Sequence, residues 1–298
     1  MKSTVGHRGR NRSDDSMGTN SLIDLSNLSK PADTLIKKVS DAVGVLYAPR
    51  QIKKMAEAEA EAAIIKAQSE IEISDLHRRA AHRLIGEEAQ RQKNMEDITA
   101  KALPHLDEKA TPDSMENDWL VNFFDKSRIV SDNEMQELWS RVLAGEANTP
   151  GTYSKRTVNF LSDLDKAEAE LFTKLCGFGW MIEELVPLVL DVQAEIYNKH
   201  GINFNSLSHL ESIGLIQFNS ITNISLSNVP KRFAVLYYGK SLVLEMPKDA
   251  NNRLGVGMVR LTKIGQEIAP ICRSKPVEGF WGYVMDKWKQ YLPKPESG

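Results

Sequence analysis

From Pro31 the apolar positions Leu35, Ile36, Val39, Val43 and Leu46 recur at spacings of three and four. This spacing predicts a helix with one apolar face, ended by Ala48-Pro49 and packed on its own protein in preference to a membrane surface. Residues 51–103 follow without a proline and with one glycine, Gly86, in a run dominated by Ala, Glu, Lys, Arg, Gln and Ile. These are the strongest helix formers, so the run predicts a long helical arm of about 80 Å at 1.5 Å per residue. An arm that long needs a partner. Its seam reads as Ala60, Ile64, Ala67, Ile71, Ser74, Arg78, Ala81 and Ile85, at alternating spacings of four and three. Small residues and Arg78 make this seam weak, which leaves parallel, antiparallel and transient pairing all open.

Pro104 and Pro112 bracket a linker, after which the pattern changes to short helices. Trp119, Leu120, Phe123 and Phe124 form one apolar face, and Met135, Leu138, Trp139, Val142 and Leu143 form another. Ser131 with Glu134 predicts a capping box, and Gly145 a helix end. Ser154 is the next expected N-cap, and Asp165 opens a further helix through Leu171, Phe172 and Leu175. Four short helices with short loops predict a small bundle.

Farther on, Gly177 to Val192 is the most apolar window. Glu183, Glu184 and Pro187 interrupt it, and it predicts a buried helix, being too short for a membrane span. Phe204 to Ile216 has helical spacing closed by Gly214. Strands are expected at 221–226, 233–238, 242–245 and 256–261, then a helix capped by Thr262. That order resembles a winged helix. Phe280, Trp281, Tyr283, Val284, Trp288 and Tyr291 make an aromatic terminal helix expected to dock on the chain itself. The expected fold class is mainly α: a tail over 1–30, an amphipathic helix and long arm over 31–104, a helical bundle over 113–178, a winged-helix-like α+β module over 179–273 and an aromatic helix over 274–298.

Composition narrows the functional classes. With 41% hydrophobic and 26% charged residues, the chain reads as soluble and globular. Lys plus Arg number 38 against 40 Asp plus Glu, a net charge of -2 that argues against a surface shaped throughout for phosphate backbones. Lys2, Arg8, Arg10 and Arg12 have no apolar run behind them, so no signal peptide is read and the tail is expected to be disordered. Cys176 and Cys272 are the two cysteines, too few for a disulfide framework or a four-thiolate zinc site, and a reducing cytoplasm is the expected location.

Three stretches carry a resemblance. Glu134-Met-Gln-Glu-Leu-Trp-Ser-Arg-Val-Leu-Ala-Gly-Glu146, Pro150-Gly-Thr-Tyr-Ser-Lys-Arg-Thr157 and Leu164-Asp-Lys-Ala-Glu-Ala-Glu-Leu-Phe172 resemble the bacterial family grouped as domain of unknown function 2806. More distantly they resemble the abortive-infection alpha proteins of phage defence. Leu35 to Gly44 and Tyr47 to Lys54 look like the family's approach to its long Ala/Glu helix. The resemblance covers roughly residues 31–273 and implies a bacterial protein with a prophage or phage-defence setting, without catalytic residues to carry over.

Catalytic patterns fail one by one. Gly145 and Gly151 are not followed by Gly-Lys-Ser/Thr, so no phosphate-cradling loop is present. Gly255-Val-Gly257-Met-Val-Arg260 has Arg where a dinucleotide fingerprint needs its third glycine. His77 and His82 lie five apart and on different helix faces, and Glu183-Glu184 would diverge by about 100° on a helix. No catalytic, cofactor-binding or metal residue is therefore named, and no cofactor is expected. The reading is a non-enzymatic scaffold or regulatory interaction protein that meets a protein partner or its own copy through Ala60, Ile64, Ala67, Ile71, Ala81 and Ile85. The alternatives are a DNA-binding regulator acting through the winged-helix-like module and a membrane-acting effector inserting 31–48 or 277–292. The one weak anion contact is Lys231 with Arg232, beside Tyr237 and Tyr238. Near-balanced charge in the C-terminal third makes nucleic acid a less favoured partner, as is a membrane surface.

Overall fold

Local capping sets most helix starts. In the computed structural model, which describes residues 28–44 and 75–293, Ser29 accepts a hydrogen bond from the Ala32 N–H and opens helix α1 (Lys30–Val43). Ala32, Leu35 and Val39 on α1 are buried. They pack against α3 (Asn117–Ser127) and the single turn Pro112–Ser114, so the predicted apolar face is covered by the protein itself. Residues 1–27 of the predicted tail, the Ala48-Pro49 helix end and the seam positions Ala60, Ile64, Ala67, Ile71 and Ser74 lie outside the described residues.

The arm enters the description as α2 (Asp75–Ala102), helical as predicted. Its C-terminal half packs against α4 (Asn133–Asn148) through buried Asn94, Ile98, Thr99 and Ala102. Within the bundle, Trp119 stacks on Phe123 at 5.1 Å, and Phe123 meets Trp139 edge-on at 5.2 Å. The Trp119 indole N–H donates to the Tyr153 carbonyl at 2.8 Å.

Two expected helix boundaries move. The α4 cap is Asp132, whose carboxylate accepts from the N–H groups of Glu134 and Met135, instead of Ser131. A carboxylate one residue later reaches both free donors and carries charge that suits the positive helix end. Nor does Gly145 end the helix; α4 runs to Asn148, and Gly145 serves as a floor for Tyr153. A Cβ there would stand 2.6 Å from the tyrosine ring. Beside it the buried Glu146 carboxylate accepts from the Gly151 N–H at 2.7 Å and the Tyr153 N–H at 2.9 Å, which closes the following turn. The caps at Ser154, for α5 (Lys155–Asp163), and at Asp165, for α6 (Lys166–Cys176), stand where the sequence placed them.

The window from Gly177 to Val192 corrects a prediction. It is no helix but an antiparallel pair, β1 (Gly179–Ile182) and β2 (Glu184–Pro187), reversing at Glu183 with φ 64. Trp180 and Ile182 are buried while Met181 between them is 44% exposed, the two-residue alternation of a strand. Short apolar runs do not separate the two periods.

A short helix, α7 (Glu195–Asn198), and α8 (Phe204–Ser212), capped by Asn203, lead through Gly214 into a nested ribbon. In it β3 (Ile216–Phe218) pairs with β8 (Val259–Leu261), β4 (Ile224–Val229) with β7 (Asn252–Gly257), and β5 (Arg232–Tyr237) with β6 (Lys240–Glu245). The innermost hairpin folds back so that β5 lies beside β1, giving a four-stranded sheet of order β2-β1-β5-β6. Thr262 then caps α9 (Lys263–Ile268) as predicted. The terminal α10 (Phe280–Lys287) buries Phe280 and Val284, followed by buried Trp288. Trp180 stacks between Tyr237 and Trp281, each at 5.1 Å, so this aromatic helix docks on its own chain. Helices and antiparallel sheets together make the fold α+β, and one contiguous core runs from Leu35 to Trp288.

Replacing the fully buried Trp139 (0% exposed) with alanine is expected to cost about 3 to 5 kcal/mol of stability. Urea unfolding followed by circular dichroism reads the loss as a lower midpoint with an unchanged slope.

Candidate functional site

Two features stand out once the core is accounted for: a helix with one free half, and a groove beneath α4 and α6.

The anchored half of α2 is held by polar contacts as well as apolar ones. Asn94 donates to the Arg128 carbonyl at 2.9 Å, Gln136 to the Val130 carbonyl at 2.9 Å, and the Lys101 ammonium to Gln136 at 2.6 Å and Asn133 at 2.9 Å. Toward the N-terminus this support stops, and residues 75–86 are all exposed. Leu76 is 65% exposed, Leu84 58% and Ile85 47%. By helical geometry Leu76, Ala80 and Leu84 form one stripe, with Ala81 and Ile85 on the adjoining flank. Arg83 and Glu87, paired at 2.8 Å, flank Leu76 on the same side, while Arg78 and Arg79, both paired to Asp75, take up the circumference beyond Ile85. These arginines are exposed and each is paired to a carboxylate of the same helix. Of the predicted seam, Arg78, Ala81 and Ile85 lie in the described region and are exposed. Leu76 and Leu84 were missed, although their spacing of eight places them on one face.

The groove has a volume of about 440 Å³. Leu138, Leu164, Phe172 and Ile268 supply apolar lining, and Glu134, Lys166, Arg141 and Cys272 are among its polar residues. Lys166 bridges Glu134 at 2.9 Å and Asp132 at 3.6 Å, and the hydrogen bond to Glu134 raises its pKa. Arg141 donates to the Ile271 carbonyl, while its Nε is buried without a hydrogen-bond partner. Burial first, then the nearby Arg273 charge, pull the Arg141 pKa down. The segment after α9 therefore crosses the bundle as a strap: Ile271 is held by Arg141, and Arg273 donates to His105 Nε2 at 3.2 Å. Nothing local in the sequence announces this groove, whose walls come from α4, α6 and the end of α9.

The predicted anion contact is engaged on one side. Lys231 lies 2.7 Å from Asp249, and Tyr237 is buried, so half of that basic and aromatic cluster is occupied within the fold. Glu184 faces Gln266 at 2.8 Å and Arg260 at 3.8 Å. Among the described residues no cluster of three or more His, Cys, Asp or Glu could hold a metal ion, and no helix is long and apolar enough to cross a membrane.

Residues 78–285 match the sequence model of a family described as "Protein of unknown function (DUF2806)". The chain belongs to this family. No curated protein and no solved structure matches it. The family span begins within the free half of α2 and ends within α10, so it takes in the groove, the ribbon and the strap but leaves out α1. Arg141, Cys176, Cys272 and His105 all fall inside the DUF2806 region.

The strap carries a pH dependence. Burial first, and the Arg273 charge second, hold the His105 pKa below its ordinary value of 6.5, and Arg273, which can only donate, meets Nε2 in its unprotonated form. A base whose folded pKa is depressed contributes stability that is complete above the unfolded pKa and is lost as pH falls through the folded one. Denaturation midpoints are expected to fall as pH drops below about 6.5, and His105→Gln should flatten that part of the profile. Equal slopes for the two proteins would show that His105 is not the group involved.

Proposed function

We propose that this DUF2806 protein is a non-enzymatic interaction scaffold, with the free half of α2 as its contact element and a second copy or a helical protein as its partner. One observation carries the reading: Leu76, Leu84 and Ile85 remain exposed on a helix whose other half is firmly anchored. Leu76 and Leu84, with Ala80 between them at spacings of four, suit helix-to-helix docking, in which residues at spacings of three and four enter a facing groove. DNA binding through a winged-helix-like module draws less support. The α8 stretch Phe204–Ser212 contains no Lys or Arg for base or phosphate contacts, and Lys231 is paired to Asp249. A cytoplasmic setting rests on the two free thiols, and a bacterial source with a link to phage defence on the family and abortive-infection resemblance.

The test is Leu76→Glu with Leu84→Glu. Burying each leucine contributes about 1.5 to 3 kcal/mol, so the double change is expected to weaken association at least about a hundredfold. Both sites are exposed, so the thermal midpoint should stay put. Sedimentation across a range of concentrations reads mass and shape directly. If wild type and variant sediment alike and retain the same bound partners, α2 is a spacer and the scaffold reading fails.

A further inference from the structure

Cys176 and Cys272 are about a hundred residues apart in sequence, yet the fold brings them together. Cys176 ends α6 and is buried; Cys272 follows the turn Ala269–Ile271 after α9, is half-buried, and stands on the groove wall. Both are free thiols; the Cys272 thiol donates to the Ile268 carbonyl at 3.4 Å, and the Cys176 thiol is its neighbour. Their neighbours are clamped independently. Tyr238 Oη lies 3.4 Å from the Cys176 carbonyl and 2.6 Å from Ser274 Oγ. Tyr237 Oη donates to the Gly177 carbonyl at 2.9 Å and accepts from the Val277 N–H at 2.7 Å. Gly177 also passes so near the strap that a Cβ would stand 2.9 Å from the Lys275 carbonyl. The meeting of the two thiols is thus built into backbone held from both sides.

We propose that this pair is a peroxide-responsive modification site, with Cys272 as the thiol that reacts from the groove and Cys176 as the thiol that resolves it. The Cys272 thiolate attacks one peroxide oxygen; the O–O bond breaks, an S–O bond forms, and the departing hydroxide takes up a proton to leave as water. Cys176 then attacks the sulfenic sulfur, an S–S bond replaces the S–O bond, and the hydroxyl leaves as a second water with the Cys176 proton. Two thiols lose two electrons and two protons, and one peroxide becomes two waters. The environment suits this division. The neighbouring Cys176 thiol, then Thr173 and the Arg141 charge, hold the Cys272 pKa below the ordinary thiol value, while the same closeness and burial push Cys176 well up. Exposure agrees, since only Cys272 lines the groove. The step is independent of what α2 contacts.

Alkylation of the full chain with iodoacetamide, read by intact mass, tests it. The folded reduced protein is expected to gain one adduct, at Cys272, and the unfolded protein two. After hydrogen peroxide treatment and unfolding without reductant it should gain none, with a peptide map joining Cys176 to Cys272 within one chain. Two adducts after peroxide, a linkage between chains, or first labelling at Cys176 would overturn the proposal. Cys176→Ser should leave Cys272 as a sulfenic acid trapped by dimedone, and Cys272→Ser should leave Cys176 unreactive. If either variant does not fold, the wild-type adduct count decides alone.

Discussion

Tyr237 is the constraint on which the sheet side of this protein depends. Its ring stacks on Trp180 and its hydroxyl bridges Gly177 and Val277, so one side chain joins the end of the helical bundle, the tip of the ribbon and the approach to the terminal helix. A buried hydroxyl satisfied as both donor and acceptor tolerates little displacement, because losing either partner leaves a polar group stranded in the core. Burial duly pushes its pKa up to about 12, which keeps the hydroxyl protonated and able to donate at any ordinary pH. With that junction in place, Trp281 closes over the other face of Trp180 and the strap is held across the bundle beside the groove.

The helical side depends on a different device, a helix whose two halves have opposite surroundings. Lys101, Gln136, Asn94 and the Arg128 carbonyl form a connected polar set around the anchored end of α2. Polar contacts of this kind add direction to the packing of Ile98 and Ala102, since each hydrogen bond fixes rotation as well as distance. The rigid base sets the direction in which Leu76 and Leu84 are presented. Surface charges between them and the base are paired along the helix.

Legibility in the sequence followed the range of the forces involved. Ser154, Asp165 and Thr262 announced their helices because a cap is a contract among four successive residues. Asp132 outcompeted Ser131 for a reason equally local, a carboxylate in place of a hydroxyl. The segment around Trp180 was read as a helix because its apolar run is short, and what makes it a strand is its pairing with β2 across the reversal at Glu183, reinforced by Leu236 and two ring neighbours far along the chain. The groove and the thiol pair were illegible for the same reason: Cys176 and Cys272 each look unremarkable among their own neighbours, and only the crossing of the strap sets them side by side.

The nested ribbon has a kinetic consequence. Each of its strand pairs encloses the next, from β5–β6 through β4–β7 to β3–β8, so the innermost hairpin is the contact with the shortest loop to close. Once it forms, every outer pair closes a loop already shortened by the one inside it, and the ribbon can zip outward at the speed of local structure. The pairing of β1 with β5 has no such shortcut, since it joins residues Met181 and Leu236 across the whole of α7 and α8. Folding of this chain is therefore paced by the moment at which a finished ribbon swings back and lays its tip against Trp180, long after its own hydrogen bonds are made.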